Sequence, residues 1–368
     1  MMASHNYAAP DEFAQKVTAY LRTIAVAGIP NLATTVAWVG EGEQRVPVSV
    51  NASEPQDSWV CSPHTAYVRY ATEELQRIGH PLLARPLTVL CRAVGRYLWR
   101  ARVDHAVAIN NWLLSTNLYP ALDGPALRRW QQEALDRWPD RALWFRSLNM
   151  RYTAPWIVAL TQAGFTLVPS RQVYLYDRID REALHPANLR RDLKLLAASP
   201  LIRSDAADWT EADFARAAQL YALLYLEKYS ALNPAYSAGF LQSWQRAGLL
   251  DLYGYRDAAG RLQAIVGLFV LGGTVTAPIV GYDTQLPQRL GLYRLLMATV
   301  YDRAAHLNCR INLSAGAAGF KRLRGGIGAI EFSAVYARHL PRPRRRALSV
   351  LAGLTRHIGE PIMRRFRL

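Results

Sequence analysis

The chain has 368 residues, 51% hydrophobic and 20% charged, and its 44 Lys and Arg against 28 Asp and Glu give a net charge of +16. That length exceeds what one core usually serves, so two domains are expected, and the composition excludes a disordered or fibrous chain. Three widely spaced cysteines (Cys61, Cys91, Cys309) exclude a disulfide framework or a Cys-type zinc site.

The opening MMASHNYAAPDEFAQK lacks the basic-then-apolar order of a secretory leader, and no apolar run reaches the length of a membrane span. A cytoplasmic location is therefore expected. The positive excess favours anionic partners: phosphate groups, a nucleic acid or an anionic lipid surface. It is concentrated in RPRRRALSVLAGLTRHIGEPIMRRFRL, where Glu360 is the only acid.

In chain order, TTVAWVGEGEQRVPVSV reads as two strands around a turn. AYVRYATEELQRIG and LARPLTVLCRAVGRYLWRAR have helical spacing, the second with Leu87, Leu90, Cys91, Val94 and Leu98 on one face. HAVAINNWLLSTNLYP is strand-like. DGPALRRWQQEALDRWPDR starts as a helix should, with Asp123 placed to cap and Pro125 in the first turn. ALWFRSLN predicts a strand, APWIVALTQAGF a short helix and TLVPSRQVYLYDR another strand, before the polar helical connector IDREALHPANLRRDLKLLAASP.

The second half repeats that order. TEADFARAAQLYALLYLEKYSALNP is a long helix or helix pair opened by Thr210 and Asp213 in capping-box spacing. A three-stranded meander follows, with turns at Asp257–Gly260 and Gly272–Gly273, and LPQRLGLYRLLMATVYDRAAHLN is an amphipathic helix. INLSAG reads as a strand, AAGFKRLRGG as a short helical turn and AIEFSAVYARHL as a last strand in which Glu331 faces solvent. The expected organisation is α/β with a mixed (α+β) sheet in each half: domains at 1–190 and 191–340, then a basic tail at 341–368.

The stretch VGYDTQLPQRLGLYRLLMATVYDRAAHLNCRINLSAGAAGFKRLRGG resembles the GNAT acyltransferase superfamily, and more closely its FemAB-like (BioF2-like) branch. Members of that branch carry two such domains in tandem, matching the two halves read here. The resemblance implies that Gln288, Arg289, Gly291, Leu292 and Tyr293 form the loop and helix start that bind the donor's phosphates. A helix N-terminus suits that task because its unpaired N–H groups and dipole favour an anion. Tyr293 stands where the family signature has a small residue, a departure that bears on ordinary coenzyme A binding.

Pro278 inside an otherwise good strand argues for an edge or a bulge, and the resemblance implies a splayed strand pair there, holding the donor's pantetheine arm. Only four of the basic residues are lysines, and one of them, Lys321, sits in the family's Phe-Lys turn with Phe320. An ammonium there can stabilise a developing oxyanion or position a phosphate. Ser314 and Gly316 join that loop. Asp283, Tyr282 and Glu227 are the further catalytic candidates, with Tyr229 and Asn312 nearby.

No His-x-His or His-Glu-x-x-His spacing, nucleophile elbow or P-loop is present, so no metal site is expected. The function expected is N-acyl transfer from acyl-CoA, as co-substrate, to an amine of a small molecule or cell-envelope precursor. The alternatives are FemAB-like aminoacyl transfer from aminoacyl-tRNA, and a non-catalytic protein that touches anionic membrane through its C-terminal tail.

Overall fold

The computed structural model describes residues 10–52, 57–76, 81–177 and 186–366. In chain order the elements are α1 (Pro10–Ala27), β1 (Thr35–Val39), β2 (Val46–Ala52), α2 (Ala71–Gln76), α3 (Pro81–Arg100), β3 (His105–Ile109), α4 (Gly124–Arg137) and β4 (Ala142–Asn149). Next come α5 (Ala154–Gln162), β5 (Thr166–Tyr176), α6 (Ala187–Ala197), β6 (Ile202–Asp205), α7 (Glu211–Ala222), α8 (Ala238–Arg246), β7 (Asp251–Arg256) and β8 (Leu262–Leu271). The last are β9 (Thr274–Tyr282), α9 (Leu292–His306), β10 (Arg310–Asn312), α10 (Ala318–Arg322), β11 (Ile327–Tyr336), α11 (Arg342–Leu354) and α12 (Glu360–Phe366).

These elements form two compact units that interleave along the chain, where contiguous halves meeting near residue 190 were expected. Unit 1 comprises Met1–Pro30, Tyr174–Ala231 and Ala235–Gly328; unit 2 comprises Asn31–Val173, Leu232–Pro234 and Ala329–Leu368. The sequence pattern marks elements, but which strand a later segment pairs with is a long-range choice it does not encode locally.

In unit 1, β6 to β9 form an antiparallel meander. The chain then crosses through α9 to β10, which lies parallel to β9. The far side of β10 pairs antiparallel with the end of β5 at Leu175 and Tyr176. Helix α9 fills the core with Leu292, Leu295, Leu296, Val300 and Tyr301. Helix α7 opens on the expected capping box, with Thr210 and Asp213 bonding each other's backbone. It lies so close to β9 that a Cβ on Gly281 would come within 2.5 Å of the Leu220 carbonyl carbon. Only glycine permits that approach.

Unit 2 repeats the scheme. Strands β1, β2 and β3 are antiparallel, β3 and β4 are parallel across the α4 crossover, and β11 runs antiparallel to β4. Asp123 caps α4 as its sequence implies, accepting from the Ala126 N–H at 3.1 Å. The expected tandem mixed-sheet architecture is thus present, and each unit takes its closing strand from the other half of the sequence.

One local expectation changes. HAVAINNWLLSTNLYP is a strand only at His105–Ile109; from Asn110 to Tyr119 it is a packed loop. Asn110 and Leu113 take left-handed φ values of 56° and 57°. Buried amides stand in for a ladder partner: Asn110 Nδ2 donates to the Leu118 carbonyl at 2.9 Å and Asn111 Nδ2 to Ser49 Oγ at 2.6 Å. The basic tail is helical, with α11 and α12 spanning most of it. Leu348 and Leu351 of α11 are buried in the core of unit 2 with Leu98, Val103 and Trp144.

Candidate functional site

The parallel pair of unit 1 separates early. Strands β9 and β10 pair only at Arg310–Thr274, Ile311–Val275 and Asn312–Thr276. Beyond that, β9 continues to Tyr282 against β8 alone. Pro278 has no N–H to give a neighbour on the other side. The chain after β10 stays with β5 instead: Leu313 N–H donates to the Tyr174 carbonyl at 3.0 Å, and Tyr174 N–H to the Ser314 carbonyl at 3.1 Å. The strands therefore part after Thr276 and Asn312, as the proline suggests.

Past the parting point lies the loop read from sequence. Ser314, Gly316 and Ala317 have φ of 58°, 78° and 49°. Two of the three are not glycine, which costs energy that the surroundings must offset. Lys321 supplies the offset. Its buried Nζ donates to the carbonyls of Leu313 at 2.7 Å, Ser314 at 3.2 Å and Ala315 at 2.7 Å. An ammonium carries three donors that fan around one point, whereas a planar guanidinium cannot converge on three carbonyls in succession. That accounts for a lysine in an arginine-rich stretch. It also sets Lys321 as a clamp on the loop rather than a charge facing a cleft.

Trans peptide planes aim N–H opposite to C=O. With the Ser314 and Ala315 carbonyls on Nζ, the N–H groups of Ala315 and Gly316 face away from it. Neither donates to an acceptor among the described residues. Asn312, buried, accepts from the Ser314 N–H at 3.0 Å.

Beneath the loop sits a network that the sequence reading missed. Asp192 on α6 is fully buried and accepts from Arg294 Nε of α9 at 2.7 Å and from Arg324 Nε just beyond α10. The Arg324 guanidinium covers the Phe320 ring at 3.4 Å, and Phe320 packs edge-on to Tyr293 at 4.8 Å. Burial drives the Tyr293 phenol well above its ordinary pKa. Tyr176 donates to the Lys321 carbonyl at 2.8 Å and receives the Tyr301 hydroxyl at 2.8 Å.

At the start of α9, Gly291 has a φ of 64° and no side chain caps the helix. Gln288 and Arg289 are exposed in the preceding turn, and Leu292 is buried. A Cβ on Gly291 would meet Leu195 Cδ2 of α6 at 3.0 Å, so the missing side chain serves helix packing as well as any ligand.

The remaining candidates sit on other elements, at the end of β9 and on the turn Leu223–Tyr229. Asp283 accepts from Arg216 Nη2 at 2.7 Å and from the Gln285 N–H at 3.0 Å. Its partial burial favours the neutral acid, but those two donors prevail and hold its pKa below the ordinary value. Tyr282, half-buried at the end of β9, has its phenol raised by burial. Glu227 and Tyr229 are exposed on the π-helical turn Leu223–Tyr229. Glu227 makes no hydrogen bond or ion pair among the described residues.

Unit 2 holds a second polar cluster. Glu331 was expected to face solvent; it is buried and chelates Arg171, Nε to Oε1 at 2.7 Å and Nη2 to Oε2 at 3.2 Å. Both Arg171 and Arg146 lie against the Trp59 ring, at 4.8 Å and 5.3 Å. Burial, reinforced by Arg171, lowers the Arg146 pKa to about 10, so it stays charged at neutral pH. Alternation with apolar residues hides this, because an ion pair satisfies the strand's inward face as an apolar residue does.

Residues 185–322 match the model of the acetyltransferase (GNAT) domain, and the chain therefore carries a domain of the GNAT superfamily. Among solved structures, it is similar to the C-terminal domain of a putative lysylphosphatidylglycerol synthetase from Agrobacterium fabrum, at 10% identity and a TM-score of 0.51, over 94% of this chain and 97% of that one. Weaker matches are FemX (9% identity, TM-score 0.46, 58% and 78% covered) and a tandem GNAT protein from the clavulanic acid pathway (11%, 0.41, 87% and 87%). No curated protein sequence matches the chain. Among the described residues no group of His, Cys, Asp and Glu is placed to hold a metal ion, and no helix is long and apolar enough to cross a membrane.

Proposed function

We propose that the protein is an N-acyltransferase that moves an acyl group from a thioester, acyl-CoA in the simplest case, to an amine of a small molecule or cell-envelope precursor. The parting of β9 from β10 after Thr276 and Asn312 carries this reading, because it leaves room for the donor's arm beside the uncapped start of α9. The amine nitrogen adds to the thioester carbon, and the tetrahedral oxyanion then collapses with loss of thiolate. The proton shed by nitrogen returns to the leaving sulfur.

The N–H groups of Ala315 and Gly316 are the candidate donors to the oxyanion. Lys321 acts through them, by fixing the carbonyls on the other side of the same peptides. The backbone of Gly291, Leu292 and Tyr293, with Gln288 and Arg289, would hold the donor phosphates. Of the carboxylates, Glu227 is the one left available to take a proton, through water, since Asp283 is committed to Arg216.

A second reading, aminoacyl-tRNA as donor, is favoured by Leu195 lying over Gly291 and by Tyr293 in the place of a small residue. The net charge of +16 would then be a nucleic-acid footprint. A thermal-shift titration separates the two, since a ligand of the folded state raises the melting temperature by mass action. A saturable rise with coenzyme A and acetyl-CoA is expected. No shift at millimolar ligand, with tRNA binding that falls steeply as salt rises, would replace the acyl-CoA donor by aminoacyl-tRNA.

A further inference from the structure

We propose that helix α3 of unit 2 docks this protein on the surface of membranes containing anionic phospholipid, with the cleft beside the helix receiving the lipid phosphate. The inference stands apart from the choice of acyl donor.

Helix α3 has one face already in use. Leu98 is buried, and Gly95 packs so tightly that a Cβ there would meet Val68 Cγ1 at 2.5 Å. The opposite face is apolar and turned to solvent: Leu82 is 92% exposed, Val89 67%, Leu90 39% and Tyr97 38%. Leu90, assigned from its spacing to the packed face, belongs to this outer one. Residues 82, 86, 89, 93 and 97 follow helical spacing, so Leu82, Pro86, Val89, Ala93 and Tyr97 form one stripe the length of the helix. The core of unit 2 does not need them.

The stripe is edged by charge of one sign. Arg85, Arg92, Arg96 and Arg100 are all exposed, and the 20 residues of α3 include no acid. Trp99, 41% exposed, lies among the arginines. Between α3 and the π-helical turn Thr65–Tyr70 is an open cleft of about 440 Å³, lined by His64, Arg92, Arg96, Trp99 and Arg100 above Val68. His64 is fixed there, its Nε2 at 3.2 Å from the Gly95 carbonyl and its ring edge-on to Trp99 at 5.2 Å.

A long apolar stripe, flanking arginines and an interfacial tryptophan are what a helix lying in the headgroup layer requires. A nucleic acid would be met by the arginines alone and would gain nothing from Leu82, Val89 and Leu90. The C-terminal helix, the region expected to touch lipid, has spent Leu348 and Leu351 in the core. It packs on α3 instead and adds exposed Arg345 and Arg346 to the same unit.

The test is flotation of the full chain with phosphatidylcholine vesicles, with and without phosphatidylglycerol. Binding is expected only where phosphatidylglycerol is present, weakening as salt rises. Two variants at exposed positions leave the core intact, with circular dichroism and thermal unfolding as the folding check. Val89→Glu with Leu90→Glu should abolish flotation. Arg92→Gln with Arg96→Gln should lower partitioning about thirtyfold, as two arginines lost from an anionic surface imply. Equal binding to both vesicle types, or both variants floating like wild type, overturns the proposal. So does a stripe variant whose effect is on self-association in size-exclusion chromatography, or an arginine variant whose loss is in tRNA binding.

Discussion

Each unit holds a buried carboxylate ion-paired to arginine, Asp192 in one and Glu331 in the other, and the two are built differently. In unit 1, Asp192 gives one oxygen to Arg294 and the other to Arg324; Arg294 is well exposed and Arg324 is buried. In unit 2, Glu331 gives both oxygens to a single guanidinium, Arg171, while the neighbouring Arg146 rests on the carbonyl of Val60 and the amide of Asn111. The difference lies in what remains when the acid is removed. An arginine that reaches water can rehydrate, whereas one held beneath other residues cannot. The number of ion pairs therefore says less than the escape route of each cation.

That contrast predicts a ranking. Glu331→Ala strands Arg171 beside an already crowded Arg146, and should be the most damaging change, costing about 4–5 kcal/mol as for other broken buried pairs. Urea unfolding of the purified variant measures it. Asp192→Ala leaves Arg324 buried but lets Arg294 swing out, so its cost should be lower, roughly 3 kcal/mol. Equal losses for the two variants would break the comparison, since they would show that the crowding of Arg171 against Arg146 adds nothing to the cost.

Lys321 sharpens it from the other side. Here the cation is held by three neutral carbonyls and not by an acid. Lys321→Met removes the charge and leaves dipoles unsatisfied, with no orphaned ion, so about 2 kcal/mol is expected. Its effect on acyl transfer should exceed its effect on stability, because the amides of Ala315 and Gly316 lose their fixed direction. Lys321→Arg should not restore activity. A variant that unfolds no more readily and transfers at the wild-type rate would remove Lys321 from the mechanism.

The sequence carried the order of strands and helices, because each rests on local chemistry: a missing N–H, a cap, a period of two or 3.6; the parting at Pro278 and the Phe-Lys turn came from the resemblance to the GNAT superfamily. It did not carry the interleaving of the units, which depends on β5 and β11 finding partners far along the chain. Nor did it carry the buried acids. Asp192 sits in ANLRRDLKLLA, whose charges read as a solvated helix face, and Glu331 alternates with apolar residues as any outward strand residue would. Burial of a charge becomes visible only when its partner arrives from another element. Lys321 shows the intermediate case: its rarity drew notice in the sequence, while the three carbonyls it holds required the turn to be seen.

The smallest expected effect concerns the partly exposed carboxylates of unit 1, and it completes the ranking at the solvent end. Asp283 is held ionised by the Gln285 N–H and Arg216 against the opposing pull of burial. Asp213 is lowered to about 2, chiefly by its hydrogen bond from Arg256. A folded pKa below the unfolded one contributes stability above the unfolded value near 4, and that contribution is lost as pH falls through the folded value. Stability should therefore decline between about pH 4 and pH 2. Both ion pairs are partly exposed, so screening holds each contribution to about 1 kcal/mol or less. Asp283→Asn should flatten part of that acid limb while leaving stability at pH 7 only slightly reduced. Urea midpoints measured across the range, at low and high salt, decide the matter. If added salt leaves the acid limb unchanged, these carboxylates are buried in effect, and they belong with Glu331 and Asp192 rather than at the foot of the series.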